Sequence, residues 1–343
     1  MDHLWFPRSA GPDALRLTAT RAARGFADGV ASILLASYLT RLGFGPLQIG
    51  AIVTATLLGS AALTLAMGLL SNRFRRRAVL LGASALMLAT GIGFYEATSF
   101  WPLLVIGFVG TLNPSAGDVT LFLPTEQAVL AEVVAPPDRT LMFAWYNLAG
   151  ALAGAAGALA AGLPDSLSRA IDPAPAERAG FLVYGLFGAL SALAYRKLSP
   201  AVELAPQEKT APLRKSRGIV LQLSALFSID AFGGGFVVQS LLALWLFRRF
   251  SMPVATAGAI FFVTGLFGAA SQLISSRIAA RIGHVRTMVF THLPSNLFLL
   301  LAGIMPTAPL AVFFLLLRAL LSQMDVPARQ AYVMAMVPRE ERA

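Results

Sequence analysis

The fold class predicted by the sequence is an all-α polytopic membrane protein built from two related halves, and three observations predict it. Of 343 residues, 57% are hydrophobic and only 13% charged, far below the roughly 25% charged residues of soluble domains. Apolar runs of about 20 residues, the length that crosses a bilayer, recur along the whole chain. Residues 123–139 (LPTEQAVLAEVVAPPDR) also align without a gap over residues 326–342 (VPARQAYVMAMVPREER), sharing Pro124/Pro327, Gln127/Gln330, Ala128/Ala331, Val134/Val337 and Arg139/Arg342. Such self-similarity marks a duplication.

The apolar runs cover residues 22–42, 47–71, 77–95, 101–134, 141–163, 180–195, 219–247, 255–280, 286–304 and 309–337, giving ten predicted transmembrane helices. The polar, mixed N-terminal arm precedes an apolar run too long for a signal peptide, so the first span is read as uncleaved. The sixth run is short and is expected to begin before Gly180, whereas the fourth is long enough to extend beyond the membrane. Gly and Pro lie inside the apolar runs, as they do in transmembrane helices. The absence of cysteine removes disulfides and thiolate metal sites from consideration.

Placing the N-terminus in the cytoplasm puts most of the 27 Lys and Arg residues on the inner side. They lie in the arm up to Arg24, at 73–77, at Arg139, in the stretch 196–217, at 277–286, and at Arg339 and Arg342. Only Arg41, Arg169, Arg178, Arg248 and Arg249 fall outside, as the positive-inside rule predicts for a multi-pass protein of the cell (inner) membrane. The net charge of +10 is therefore topological, and no basic soluble domain exists to bind nucleic acid. The chain is read as a monomer whose partners are the bilayer and a small molecule.

The long polar stretch 199–218 separates an N-terminal six-helix bundle, 1–198, from a C-terminal bundle, 219–343, of four helices. Across it the motif GAI at 50–52 matches 258–260, Arg73 matches Arg281, and Phe26/Phe232 and Gly29/Gly235 align more loosely. The first half continues through two helices after Arg139, but the chain ends after Arg342. Symmetry favours a twelve-helix parent truncated after its tenth helix; the alternative is a ten-helix protein.

Between the second and third spans, Gly68, Asn72, Arg73, Arg76 and Arg77 stand in the run GLLSNRFRRR, which resembles the major facilitator superfamily loop motif G-x-x-x-D-R-x-G-R-R. Asn72 replaces the acid and Arg75 the second glycine. The segment from Ala280 to His284 looks like its degenerate second copy. The resemblance implies two helical bundles around a cavity lined by helices one, four, seven and ten, and transport by alternating access. It also implies that the loop motif steadies the closed cytoplasmic side through its acid and through helix eleven. A cluster that only sets topology is the plainer reading of residues 73–77. Helix five has Gly150, Gly154, Gly157 and Gly162 without the proline of the family's drug antiporters, and these glycines are assigned to close packing.

A charge at a helix centre costs about 2.5–3.5 kcal/mol on insertion scales, so each needs a partner, a cavity or a function. Asp28 lies in helix one, Asp118 and Glu126 in helix four, Asp230 in helix seven, and Arg318, Asp325 and Arg329 in helix ten. These are the helices that the resemblance places around the cavity. Arg318, Ser322, Asp325 and Arg329 form one helical stripe, and Thr111, Ser115, Asp118 and Thr125 another. Arg24 with Asp28, and Asp325 with Arg329, have the spacing of local ion pairs that merely reduce insertion cost. Asp118, Asp230 and Arg318 lack such neighbours and are the stronger functional candidates.

Burial raises a carboxyl pKa and a nearby arginine lowers it, so a carboxylate of alternating exposure can carry a proton. Asp118 or Asp230 is assigned that task, with Arg318 binding an anionic substrate group or competing for the carboxylate. Gly233, Gly234 and Gly235 suit packing or a hinge. Pro124 and Pro327 are expected to kink helices four and ten, and Pro294 helix nine, where His292 and Asn296 read as packing or hydrogen-bonding residues. No metal-ligand spacing, nucleotide-binding loop, cofactor motif or catalytic triad is found. The expected function is proton-coupled transport of a small organic solute rather than an enzyme activity. The alternatives are a non-transporting sensor or assembly protein, and an inactive fragment.

Overall fold

The computed structural model describes residues 7, 9–70, 74–115, 120–166, 173–203, 217–326, 328, 329 and 332. The helices are α1 (Pro12–Arg41), α2 (Pro46–Leu70), α3 (Arg76–Glu96), α4 (Phe100–Val109), α5 (Leu123–Val133), α6 (Arg139–Ala160) and α7 (Leu163–Ser166). They continue with α8 (Pro173–Arg196), α9 (Arg217–Gly235), α10 (Gln239–Phe250), α11 (Val254–Ile282), α12 (His284–Ile304) and α13 (Ala308–Ser322). Among the described residues seven stretches are long and apolar enough to cross a membrane, and α4 and α13 are shorter apolar helices. Leu65, Trp101, Leu186, Phe290 and Leu300 are exposed, as expected of side chains that face lipid.

The chain divides into two compact units. One comprises Met1–Glu203 with Gln239–Phe262, and the other Leu204–Val238 with Val263–Ala343. The division differs from the sequence boundary at 199–218, because α10 and the start of α11 belong with the first unit.

In the first unit α1 is the central helix, with every residue from 27 to 39 buried. Its approach to α6 is set by glycines. A Cβ on Gly29 would overlap the Gly154 carbonyl oxygen, and one on Gly157 would overlap the Phe26 carbonyl oxygen. Small residues let two helix backbones meet in this way. α3 and α8 are equally close at Gly91, where a Cβ would overlap the Phe181 carbonyl oxygen. After α1 the chain turns through Gly43, at φ +83°, and Pro46 opens α2, where a missing N–H leaves nothing unpaired.

Two helices expected to be continuous are interrupted. The fourth span stops at Val109, and the described residues 110–115 and 120–122 are not helical before α5 begins. Pro114 cannot continue a helix, and the residues beside it use other partners. The Thr111 N–H donates to Thr90 Oγ1 at 3.2 Å, and Asn113 Oδ1 accepts from the N–H and hydroxyl of Ser115 at 3.1 and 2.7 Å. Pro124 sits in the first turn of α5 and starts a helix instead of kinking one. The seventh span breaks between Gly235 and Gln239. A Cβ on Gly233 or Gly234 would meet no atom within 4 Å, so close packing does not account for those two glycines.

The second unit contains α9, the latter part of α11, α12 and α13. Gly283, at φ +87°, turns the chain sharply from α11 into α12. α13 ends at Ser322, Gln323 and Met324 form a turn, and helical residues resume at Asp325.

Candidate functional site

Three segments of the second unit converge on His292. From α12, its Nε2 lies 3.1 Å from Asp230 Oδ1 of α9, and its Nδ1 lies 3.6 Å from Asp325 Oδ2 beyond α13. Arg329 completes the cluster, its Nη1 standing 3.4 Å from Asp230 Oδ2. Asp230 is 41% exposed, His292 35% and Arg329 30%, against 11% for Asp325. The imidazole thus has a carboxylate at each ring nitrogen, and only its protonated form presents an N–H to both. An imidazole and carboxylates are groups able to exchange a proton, and here each is at least partly exposed.

This geometry corrects the pairing expected from spacing. Arg329 turns to Asp230 on another helix, and Asp325 faces His292 instead of the arginine four residues on. The expected stripe of Arg318, Ser322, Asp325 and Arg329 is interrupted by the turn at 323–324. That turn is held from α11, where the Ser275 hydroxyl donates to the Met324 carbonyl and Gln272 Nε2 donates to Gln323 Oε1 at 3.2 Å. His292, read as a packing or hydrogen-bonding residue, is the centre of the cluster. Its signal was available: it is the one titratable residue between Thr287 and Ile304.

The first unit holds a different arrangement. Arg24 of α1 donates to Glu126 of α5 from Nη1 at 3.0 Å and from Nη2 at 2.5 Å. Glu126 also accepts from the hydroxyls of Thr20 at 2.9 Å, Tyr195 at 2.6 Å and Tyr146. The Arg24 guanidinium lies 4.1 Å from the centroid of the Phe122 ring, and neither charged group reaches solvent. Five donors saturate the lone pairs of a carboxylate, so the network is closed. The expected Arg24–Asp28 pair is not formed, because the guanidinium is fully engaged across the bundle. Asp28 is buried in α1 and forms no ion pair with a described residue.

Asp118 lies outside the described residues, and the stripe expected to carry it from Thr111 to Thr125 does not lie on one helix, because the span is broken. Asn72 and Arg73 are also outside the described residues, and Gly68 falls near the end of α2. The rest of the loop motif is tied down. Arg76 pairs with Glu132 at 2.5 and 2.9 Å, and Arg77 donates to the Arg196 carbonyl. The Arg76 and Arg77 backbone N–H groups, unpaired donors at the start of α3, donate to Glu203 at 3.0 and 3.2 Å. An acid from the polar stretch after α8 thereby caps the helix that follows the motif.

Long apolar helices in two units define a polytopic membrane protein. A family model for the Major Facilitator Superfamily matches residues 17–343, and the chain belongs to that family. It is a transporter, not an enzyme. An uncharacterized membrane protein of Saccharomyces cerevisiae is 26% identical over 360 aligned residues, covering 94% of this chain and 80% of its own. Among solved structures the nucleoside transporter NupG is similar with a TM-score of 0.73 at 14% identity, over 96% of this chain and 85% of its own. A D-xylose–proton symporter is similar with a TM-score of 0.59 at 15% identity, over 94% and 82%. At these identities the likeness is one of fold.

Proposed function

We propose that the protein moves a small organic solute across the cell membrane by alternating access, coupled to protons through Asp230, His292 and Asp325. The observation that carries the reading is the imidazole flanked by two carboxylates from separate segments, with Arg329 as a competing cation at one of them. Relative movement of α9, α12 and the segment after α13 changes which nitrogen has its acceptor, and with it where the proton resides. The distribution of arginine favours a cytoplasmic N-terminus. The saturated pair of Arg24 and Glu126 is assigned to holding the first unit together.

The test is substrate-induced collapse of an imposed pH gradient in proteoliposomes, screened over a solute library. A solute that collapses the gradient with the native protein, and is still bound but no longer dissipates it with Asp230→Asn or His292→Gln, supports coupling at this cluster. Undiminished proton flux in both variants would remove the proton from these residues.

A further inference from the structure

At the turn between α11 and α12 the second unit carries a group of arginines that no described carboxylate neutralises. Arg277 and Arg281 near the end of α11 and Arg286 at the start of α12 are all exposed. Residues 231–324 contain no aspartate or glutamate, and none of these arginines forms an ion pair with a described residue. The internal duplication shows what is unusual here. In the register that matches Arg73 with Arg281, α2 corresponds to α11 and α3 to α12. In the first copy the Arg76 guanidinium is paired with Glu132. The counterpart of Glu132 is Ala335, and those of Arg277 and Arg286 are Leu69 and Ala78. The second copy thus lacks that acid and carries arginine at two positions that are apolar in the first.

Those positions lie at the ends of outward faces. Arg286 begins a stripe of exposed side chains on α12, Phe290, Leu293, Leu297, Leu300 and Ile304, spaced as one face of a helix. The stripe is about 27 Å long, close to the roughly 30 Å of a bilayer's hydrocarbon core. On α11 the exposed residues Leu266, Ala270 and Ile274 lead along one face to Arg277 and Arg281. The matching positions of the first unit are exposed as well, at Leu58, Ala62 and Ala66 of α2 and at Gly82, Ala85, Ala89 and Ile92 of α3. The positive-inside rule asks for arginines on one side of the membrane, but not on the face that meets lipid. A guanidinium at the end of such a face extends to the headgroup level and grips phosphate through two parallel N–H donors. A zwitterionic headgroup offers that phosphate with its own cation beside it, so an anionic headgroup is favoured. We propose that Arg277, Arg281 and Arg286 hold the headgroup of an anionic phospholipid at the Gly283 turn, with its acyl chains along the exposed faces of α11 and α12. This site is independent of the transported solute and of the His292 cluster.

Thermal unfolding of the purified full chain in neutral detergent, titrated with dioleoyl phosphatidylglycerol or dioleoyl phosphatidylcholine, tests the site. Phosphatidylglycerol is expected to raise the unfolding temperature saturably, at concentrations roughly tenfold below those at which phosphatidylcholine acts. Arg277→Gln, Arg281→Gln and Arg286→Gln should each weaken the phosphatidylglycerol effect about fivefold, and the triple variant should respond to both lipids alike. Because the side chains are exposed and form no ion pair with a described residue, the variants should unfold at the native temperature in detergent alone. Arg248→Gln with Arg249→Gln, at the end of α10, should keep the full preference. Equal responses of the native protein to the two lipids, an undiminished preference in the triple variant, or the same protection by inorganic phosphate would each overturn the proposal. So would loss of the preference with Arg248→Gln and Arg249→Gln, which would place the lipid elsewhere.

Discussion

Arg24 of α1 and Glu126 of α5 form a two-pronged ion pair from which solvent is excluded, with Tyr146, Tyr195 and Thr20 filling the remaining acceptor positions. Replacing one partner leaves the other charge buried and uncompensated, which costs about 3–5 kcal/mol. Glu126→Gln and Arg24→Met should each lower the unfolding temperature markedly. The double variant Arg24→Met with Glu126→Gln should be less destabilised than the sum of the two. A double-mutant cycle measured by thermal unfolding in detergent decides the point, and additive effects would show that the pair contributes nothing as a pair.

The α1–α6 contact makes an asymmetric prediction. An added Cβ at Gly29 meets the Gly154 carbonyl oxygen well inside van der Waals distance, whereas the nearest atom to a Cβ at Gly154 is the Gly25 carbonyl oxygen at 3.4 Å. Gly29→Ala should force the helices apart and cost about 1–3 kcal/mol. Gly154→Ala should be neutral or stabilising by up to ~1 kcal/mol, since alanine restricts the unfolded chain and favours the helix. Reversal of that order in matched unfolding curves would contradict glycine-set packing of α1 on α6.

Glu203 holds the polar stretch that follows α8 against the loop motif by accepting the Arg76 and Arg77 backbone N–H groups. Glu203→Ala removes a cap worth about 1 kcal/mol and frees the segment that begins at Ser199. Tryptic cleavage at Arg196 and Lys197 should accelerate several-fold in that variant, because cleavage follows the population of the opened segment. Unchanged cleavage would mean that the Asp13–Ser199 hydrogen bonds secure the segment without Glu203.

The membrane class, the positions of the spans and the helices that carry charge were legible in the sequence, because hydropathy and helical spacing are local properties. The partners of those charges were not. Arg24 reads as the neighbour of Asp28 four residues on, and only the meeting of α1 with α5 offers it Glu126. Asp230, His292 and Asp325 come from three separate segments, so no spacing rule joins them. The interruptions were half-visible: Pro114 and the run Gly233–Gly234–Gly235 were present, but uninterrupted hydropathy outweighed them. Glu203 lay in a stretch read only as a linker, and its role depends on the unpaired N–H groups of a helix far away in sequence.

Ser240, the second residue of α10, joins three spans at one fully buried point. Its backbone N–H donates to the Pro114 carbonyl at 3.0 Å, and its hydroxyl is shared between that carbonyl at 2.9 Å and the Ser32 carbonyl at 2.6 Å. Gln239 adds a bond from Nε2 to Ser32 Oγ at 3.0 Å. The start of α10 is thereby fastened to the break in the fourth span and to the middle of α1. Ser240→Ala keeps the backbone bond and loses the hydroxyl, which weakens the tie by about 1 kcal/mol and raises the population of the released form about fivefold if closure depends on it. The chain contains no cysteine, so Ala243→Cys, at a fully buried position one turn further along α10, is a unique reporter. Its maleimide labelling in membranes should be slow in the native background and about fivefold faster with Ser240→Ala, and equal rates would show that the hydroxyl does not hold α10 in place.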